Sequence, residues 1–148
     1  QKSKVKEYEI KKRNFEHEIV RATFYKYMFK ALENAKINVI FFCSVEAKIN
    51  QFVFITKEEK FKDLFYNDIQ KIVLSKERLI IELVNGSLIR FVCGSNSARG
   101  YRCHYAIVDT DIDGGICDYV IRPMTVLFDF DKERKSLKDN YNIEFIKM

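Results

Sequence analysis

Asp109, Asp111 and Asp113 alternate along a short stretch of this chain. In an extended segment their carboxylates point the same way, an arrangement able to hold a divalent metal for phosphodiester hydrolysis, with Glu82 or Asp118 as further ligands. The plainer reading is a solvated turn after a strand, since Gly114-Gly115 follows. A second set, Cys93, Cys103, His104 and Cys117, offers ligands of the kind zinc takes, at a spacing that matches no standard zinc pattern. The four cysteines, at 43, 93, 103 and 117, form no CxxC pair. Three stand in or beside apolar runs, where a free thiol behaves as a small hydrophobe. With no secretion signal legible, they read as reduced cytosolic thiols. His17 and His104 read as ordinary surface or core histidines. Lys2, Lys4, Lys6, Lys11, Lys12 and Arg13 face only Glu7 and Glu9 in the first thirteen residues. Such a cluster suits pairing with phosphates, or equally a frayed and solvated terminus.

These residues need elements to position them. The chain has 148 residues, 47% hydrophobic and 14% aromatic, which suits one domain with a real core. Five glycines and one proline exclude a linker or low-complexity protein, and no apolar run approaches the length of a membrane span. A net charge of +5 is mildly basic. The domain is expected over residues 15–148, with residues 1–14 as a separate basic segment. Apolar residues from Phe15 to Ala35 recur at the spacing of an amphipathic helix, so Phe24, Tyr25, Tyr27 and Phe29 read as core packing rather than base stacking. Ile37 to Cys43 reads as a strand covered on both faces. Ser44 is placed to cap a following helix through Ile49 and Phe52, and Thr56 with Glu59 to form a capping box for another through Phe61 and Phe65. Arg78–Val84 and Ser87–Cys93 read as strands joined by Asn85-Gly86, a strong hairpin signal. Tyr105–Val108 is a second buried strand. Residues 116–127 suit helix or strand, 129–140 form a charged connection, and 142–146 a last strand. Helices alternating with buried strands predict a mostly parallel sheet with helices on its faces.

One order of features is more specific. Strand, Asn-Gly-Ser hairpin and returning strand read Ile80-Ile81-Glu82-Leu83-Val84-Asn85-Gly86-Ser87-Leu88-Ile89; a loop ends in Ser97-Ala98-Arg99-Gly100; a buried strand Tyr105-Ala106-Ile107-Val108 ends at Asp109. Over roughly residues 20–148 this resembles the ATPase domain of the viral terminase large subunit, the DNA-packaging motor. Arg122-Pro123-Met124 resembles the helix after that family's Walker B strand, and residues 143–146 the strand beyond it. The resemblance implies a P-loop-NTPase-like α/β fold, with flanking helices and one β-hairpin. It places a vestigial nucleotide site at Arg21 and Thr23, near the family's loop Lys and Thr, and at Asp109 and Thr110, the Walker B end.

The departures from the family are chemical. A phosphate loop presents backbone N–H groups that only glycines bring close enough, yet the first glycine in the sequence is Gly86. Glu16 to Thr23 stand where the loop belongs, and Glu16 and Glu18 would repel a triphosphate. The Walker B glutamate that activates water is Thr110 here, which is no general base at neutral pH. The expected function is therefore that of a non-hydrolysing, phage-derived, terminase-like protein in the host cytoplasm. It would bind DNA electrostatically through Lys11, Lys12, Arg13, Arg99 and Arg102, or a protein partner or further copies of itself, and regulate or mimic a packaging-motor subunit. No cofactor, metal or membrane is expected. Two alternatives stand beside it, a metal-dependent nuclease using the Asp109, Asp111 and Asp113 cluster, and a structural or inhibitory interaction protein. Without phosphates beside it, a buried Asp109 needs a replacement partner, expected to be Arg21, Arg99, Arg102 or backbone N–H groups.

Overall fold

A computed structural model of the chain describes residues 2–75, 78–94, 102–126 and 143–148. Helix α1 (Lys2–Glu33) is followed by strand β1 (Asn38–Cys43), a 3-10 turn (Glu46–Lys48), α2 (Ile49–Lys57) and α3 (Glu59–Phe65). Strands β2 (Ile69–Leu74), β3 (Arg78–Leu83), β4 (Leu88–Cys93) and β5 (Tyr105–Asp109) come next. Then follow α4 (Gly114–Ile116), a π-helical turn (Cys117–Ile121), α5 (Arg122–Val126) and strand β6 (Ile143–Ile146). The six strands form one mixed sheet in the order β2-β3-β4-β1-β5-β6. Pairings β4–β1, β1–β5 and β5–β6 are parallel; β2–β3 and β3–β4 are antiparallel.

The two most apolar runs become interior strands, β1 between β4 and β5, and β5 between β1 and β6. Alternation along β1 sends Val39, Phe41 and Cys43 to one face and Ile40 and Phe42 to the other. Helices α1 to α3 cover the first face, where Phe24 sits edge-on to Phe41, Phe52 and Phe91 at centroid distances of 5.9, 5.6 and 5.2 Å. The helical segment after β5 covers the second through Val120, Ile121 and Met124. That segment, readable as helix or strand from sequence, is helical. Its π turn precedes Pro123, and Arg122 N–H bonds back to the Cys117 carbonyl. A proline cannot donate in the helical ladder, and a widened turn accommodates the interruption.

The hairpin forms where expected, with Leu79 opposite Phe91 and Ile81 opposite Ile89. A two-residue Asn-Gly turn would need positive φ at both Asn85 and Gly86, but of the two only Gly86 is left-handed, at φ 86°. Gly86 N–H bonds the Leu83 carbonyl at 3.0 Å and Leu83 N–H the Ser87 carbonyl at 2.9 Å, a three-residue loop that needs one glycine. The turn also closes α1. Asn85 Nδ2 donates to the Ala31 carbonyl at 2.8 Å, and the buried Ser87 hydroxyl donates to that same carbonyl at 2.8 Å while accepting Ile37 N–H at 2.9 Å. These bonds satisfy carbonyls that a helix C-terminus leaves without partners.

Several local expectations are corrected. Residues 2–14 do not stand apart from the first helix but continue it, so α1 begins well before Phe15. Thr56 lies within α2 and donates to the Val53 carbonyl, and α3 starts after Glu58 with no side-chain cap. Ser44 caps no helix: the following turn starts after Val45, and the Ser44 side chain and N–H both bond Asp109. Strand β2, not anticipated, extends the sheet beyond the hairpin as an edge. The charged connection at 129–140 lies outside the described residues. Among the described residues no helix is long and apolar enough to cross a membrane.

Candidate functional site

The carboxyl ends of β1, β5 and β6 form one mouth of the sheet, the edge at which open α/β sheets bind ligands. Asp109 ends β5 there and is 1% exposed. Its Oδ2 accepts Ser44 N–H at 3.0 Å and the Lys48 ammonium at 2.8 Å, and its Oδ1 accepts Asp111 N–H at 3.1 Å. Burial alone would raise this carboxyl, but Lys48, the Ser44 hydroxyl and the N–H donors of Asp111 and Ser44 outweigh it and hold the group below its ordinary value. Burial likewise works against the charge on Lys48, and the bonds to Asp109 and Asp111 prevail and raise its pKa. The backbone donors expected for Asp109 are present. The cation is Lys48, from the turn after β1, rather than Arg21 or Arg102; Arg99 lies outside the described residues.

Arg21 is committed elsewhere, in a two-pronged pair with Glu58 at 3.0 and 3.1 Å. Thr23 is buried, and its hydroxyl bonds the Ile19 carbonyl of its own helix at 2.8 Å. Both lie deep inside α1, far from the free N–H groups of a helix start, so neither lies where a helix N-terminus would bind phosphate. Thr110 is exposed, and its N–H bonds the Ile146 carbonyl. Arg102 is exposed just before β5, at the opposite end of that strand from Asp109. The mouth therefore gathers Asp109 and Thr110 but not the other residues of the expected set.

The three alternating aspartates do not converge. Asp109 and Asp111 share the Lys48 ammonium, each at 2.8 Å, while Asp113 accepts Gly115 N–H at 2.7 Å as the cap of α4. Asp118 pairs with Arg122 at 2.9 Å. Among the described residues no group of three or more histidine, cysteine, aspartate or glutamate side chains is placed to hold a metal ion. Cys43, Cys103 and Cys117 are buried free thiols, and burial raises all three, Cys103 to about 12. His104 is a buried core residue whose Nδ1 accepts Asn38 N–H at 2.8 Å, and burial pushes it down to about 4.

Beside the Asp109 pair a cleft of about 270 Å³ opens between α1, the turn after β1 and the chain after β6. Arg13, Glu16, His17, Lys48, Gln51 and Lys147 line it. Lys147 stands 3.6 Å from Glu16. From this cleft the exposed first half of α1 leads away, carrying Lys4, Lys6, Lys11, Lys12 and Arg13. Lys48 is the residue that sequence reasoning missed. A lone lysine in a polar turn carries no signal until the fold sets the end of β5 beside the end of β1. Comparison with family models, with curated proteins and with solved structures finds no match to this chain.

Proposed function

We propose that this domain acts by binding rather than by hydrolysis, and that its ligand is the phosphate backbone of DNA. The observation that carries the reading is the basic, solvent-exposed first half of α1, which runs into the cleft lined by Arg13, Lys48 and Lys147. Five cations on an exposed helix offer phosphate contacts without any device for reading base edges, so binding is electrostatic and tolerant of sequence. The terminase-like character rests on the Asn-Gly-Ser hairpin, the Arg-Gly loop and the acidic strand end. In that frame the domain is a non-hydrolysing relative of a phage packaging motor, one that regulates or mimics a motor subunit. The Asp109–Lys48 pair supports the loss of hydrolysis, since a lysine neutralises the carboxylate that a magnesium ion would need.

Fluorescence anisotropy with a mixed-sequence duplex tests the proposal. Affinity should fall steeply as salt rises. Replacing Lys11, Lys12 and Arg13 together with alanine should weaken binding at low salt and flatten the log–log salt slope by about 2 to 3. Absence of binding at low salt, or binding indifferent to salt, overturns it.

A further inference from the structure

The exposed half of α1 also carries an apolar stripe that the domain does not use. Val5, Tyr8, Phe15 and Ile19 are 58, 68, 64 and 40% exposed. Their spacing of three, seven and four residues places them at successive a and d positions of a heptad, with Lys12 at the intervening a position. The stripe lies to one side of the buried face that Val20, Phe24, Tyr27 and Ala31 turn to the sheet. Among the described residues the exposed half of α1 packs on no other element, and a helical stretch of that length is marginal in water without a partner for its apolar side.

The charges flanking the stripe select the partner. In this register Lys4, Lys11 and Glu18 occupy g positions, and Glu9 and Glu16 occupy e positions. In a parallel two-stranded coiled coil a g residue meets the e residue of the following heptad on the other helix, which sets Lys4 against Glu9 and Lys11 against Glu16. An antiparallel pair would set Lys11 against Lys11 and Glu9 against Glu9, and only Lys4 and Glu18 would meet as opposites. A lysine at a single a position costs stability but fixes register.

We infer that a second copy of this chain covers the stripe, and that the two α1 helices pair in parallel through Val5, Tyr8, Lys12, Phe15 and Ile19. Lys6 and Arg13 fall at b positions, away from the seam. The apolar stripe and its flanking charges carry the inference, which shares Lys11 and Lys12 with the DNA reading; of the cations in that reading's test only Arg13 stays clear of the seam.

Sedimentation equilibrium on the whole chain, from micromolar to near-millimolar concentration, tests it. A monomer–dimer equilibrium is expected, and purely monomeric behaviour at the upper limit, or a trimer, overturns the proposal. Tyr8→Glu with Phe15→Glu should abolish the dimer while far-ultraviolet circular dichroism shows the domain still folded; a dimer that survives these changes does not use this seam. Lys12→Leu should tighten the dimer by about tenfold or more, a gain that misfolding cannot mimic. The charge pairing is read from two charge variants, Lys4→Glu/Lys11→Glu and Glu9→Lys/Glu16→Lys. Each alone should be weakened in self-association, and the two mixed should form a heterodimer. Failure of the mixture to associate, where the unaltered chain dimerises, overturns the charge pairing of the seam. Orientation itself is read from Val5→Cys, whose oxidation should link the two copies of a parallel dimer, and absence of that link overturns the parallel arrangement.

Discussion

The Asp109–Lys48 pair carries a desolvation cost, because one partner is fully buried. Lys48→Met leaves a buried carboxylate with the Ser44 hydroxyl and N–H donors but no cation, and a loss of about 2–4 kcal/mol at neutral pH is expected by urea unfolding. Asp109→Asn in the same background should recover part of that loss, since the stranded charge is gone; a double-mutant cycle reads the coupling. The pH dependence has a definite sign. The folded Asp109 carboxyl lies below its ordinary 3.8, so its contribution is present above that value and lost as pH falls through the folded one. His104 acts earlier on the acid side. Its folded pKa of about 4 lies below the ordinary 6.5, so the unfolded chain takes up the proton first. Stability should fall by about 3 kcal/mol as pH drops from 6.5 to 4, and His104→Asn, which keeps an acceptor near Asn38 N–H, should flatten that limb. An unchanged limb in the variant would assign the acid sensitivity elsewhere.

At the scale of elements, the hairpin turn couples two layers. Ser87 bonds both Ile37 N–H and the Ala31 carbonyl from a fully buried position. Ser87→Ala strands the Ile37 donor, and a loss of about 1–3 kcal/mol is expected in thermal or urea unfolding. A neutral result would show that water reaches that amide. The hairpin was legible because Asn-Gly stands between two alternating apolar runs, and the two interior strands because their runs leave no polar side to face water. Strand β2 was not. Ile69-Gln70-Lys71-Ile72-Val73-Leu74 lies at a sheet edge, where one neighbour suffices and five of its six residues stay exposed, so it carries no alternation to read. The helix start was misplaced for a similar reason. Residues 2–14 project from the domain, and with Lys12 interrupting the stripe that Val5 and Tyr8 begin, their apolar period is too sparse to mark a helix start in the sequence.

For the whole molecule, the arrangement at the sheet mouth bears on nucleotides. No glycine precedes Gly86, and Glu16 to Thr23 lie inside a continuous helix. Calorimetry with millimolar ATP and magnesium is expected to give little heat of binding, and micromolar affinity would mean that phosphates are held somewhere other than the α1 region. Three layers, with helices α1 to α3 on one face and the segment after β5 on the other, leave the exposed start of α1 as the part of the chain freest to meet a partner.

By itself the sequence determined the class of fold, the two buried strands, the hairpin, and the absence of glycine between Gln1 and Asn85. Each is a property of contiguous residues, an apolar run, a turn dipeptide or an absent residue type, and needs no partner from afar to be read. Only the tertiary structure decided which charge answers Asp109. Lys48 lies sixty-one residues away along the chain and meets it because β1 and β5 pair in parallel, which brings the turn after one beside the end of the other. It likewise decided that Arg21 belongs to Glu58 and that Asp111 shares the lysine while Asp113 turns away. A charge finds its partner through the register of a sheet and the path of the loops that follow it, and neither is written in the spacing of the charged residues themselves.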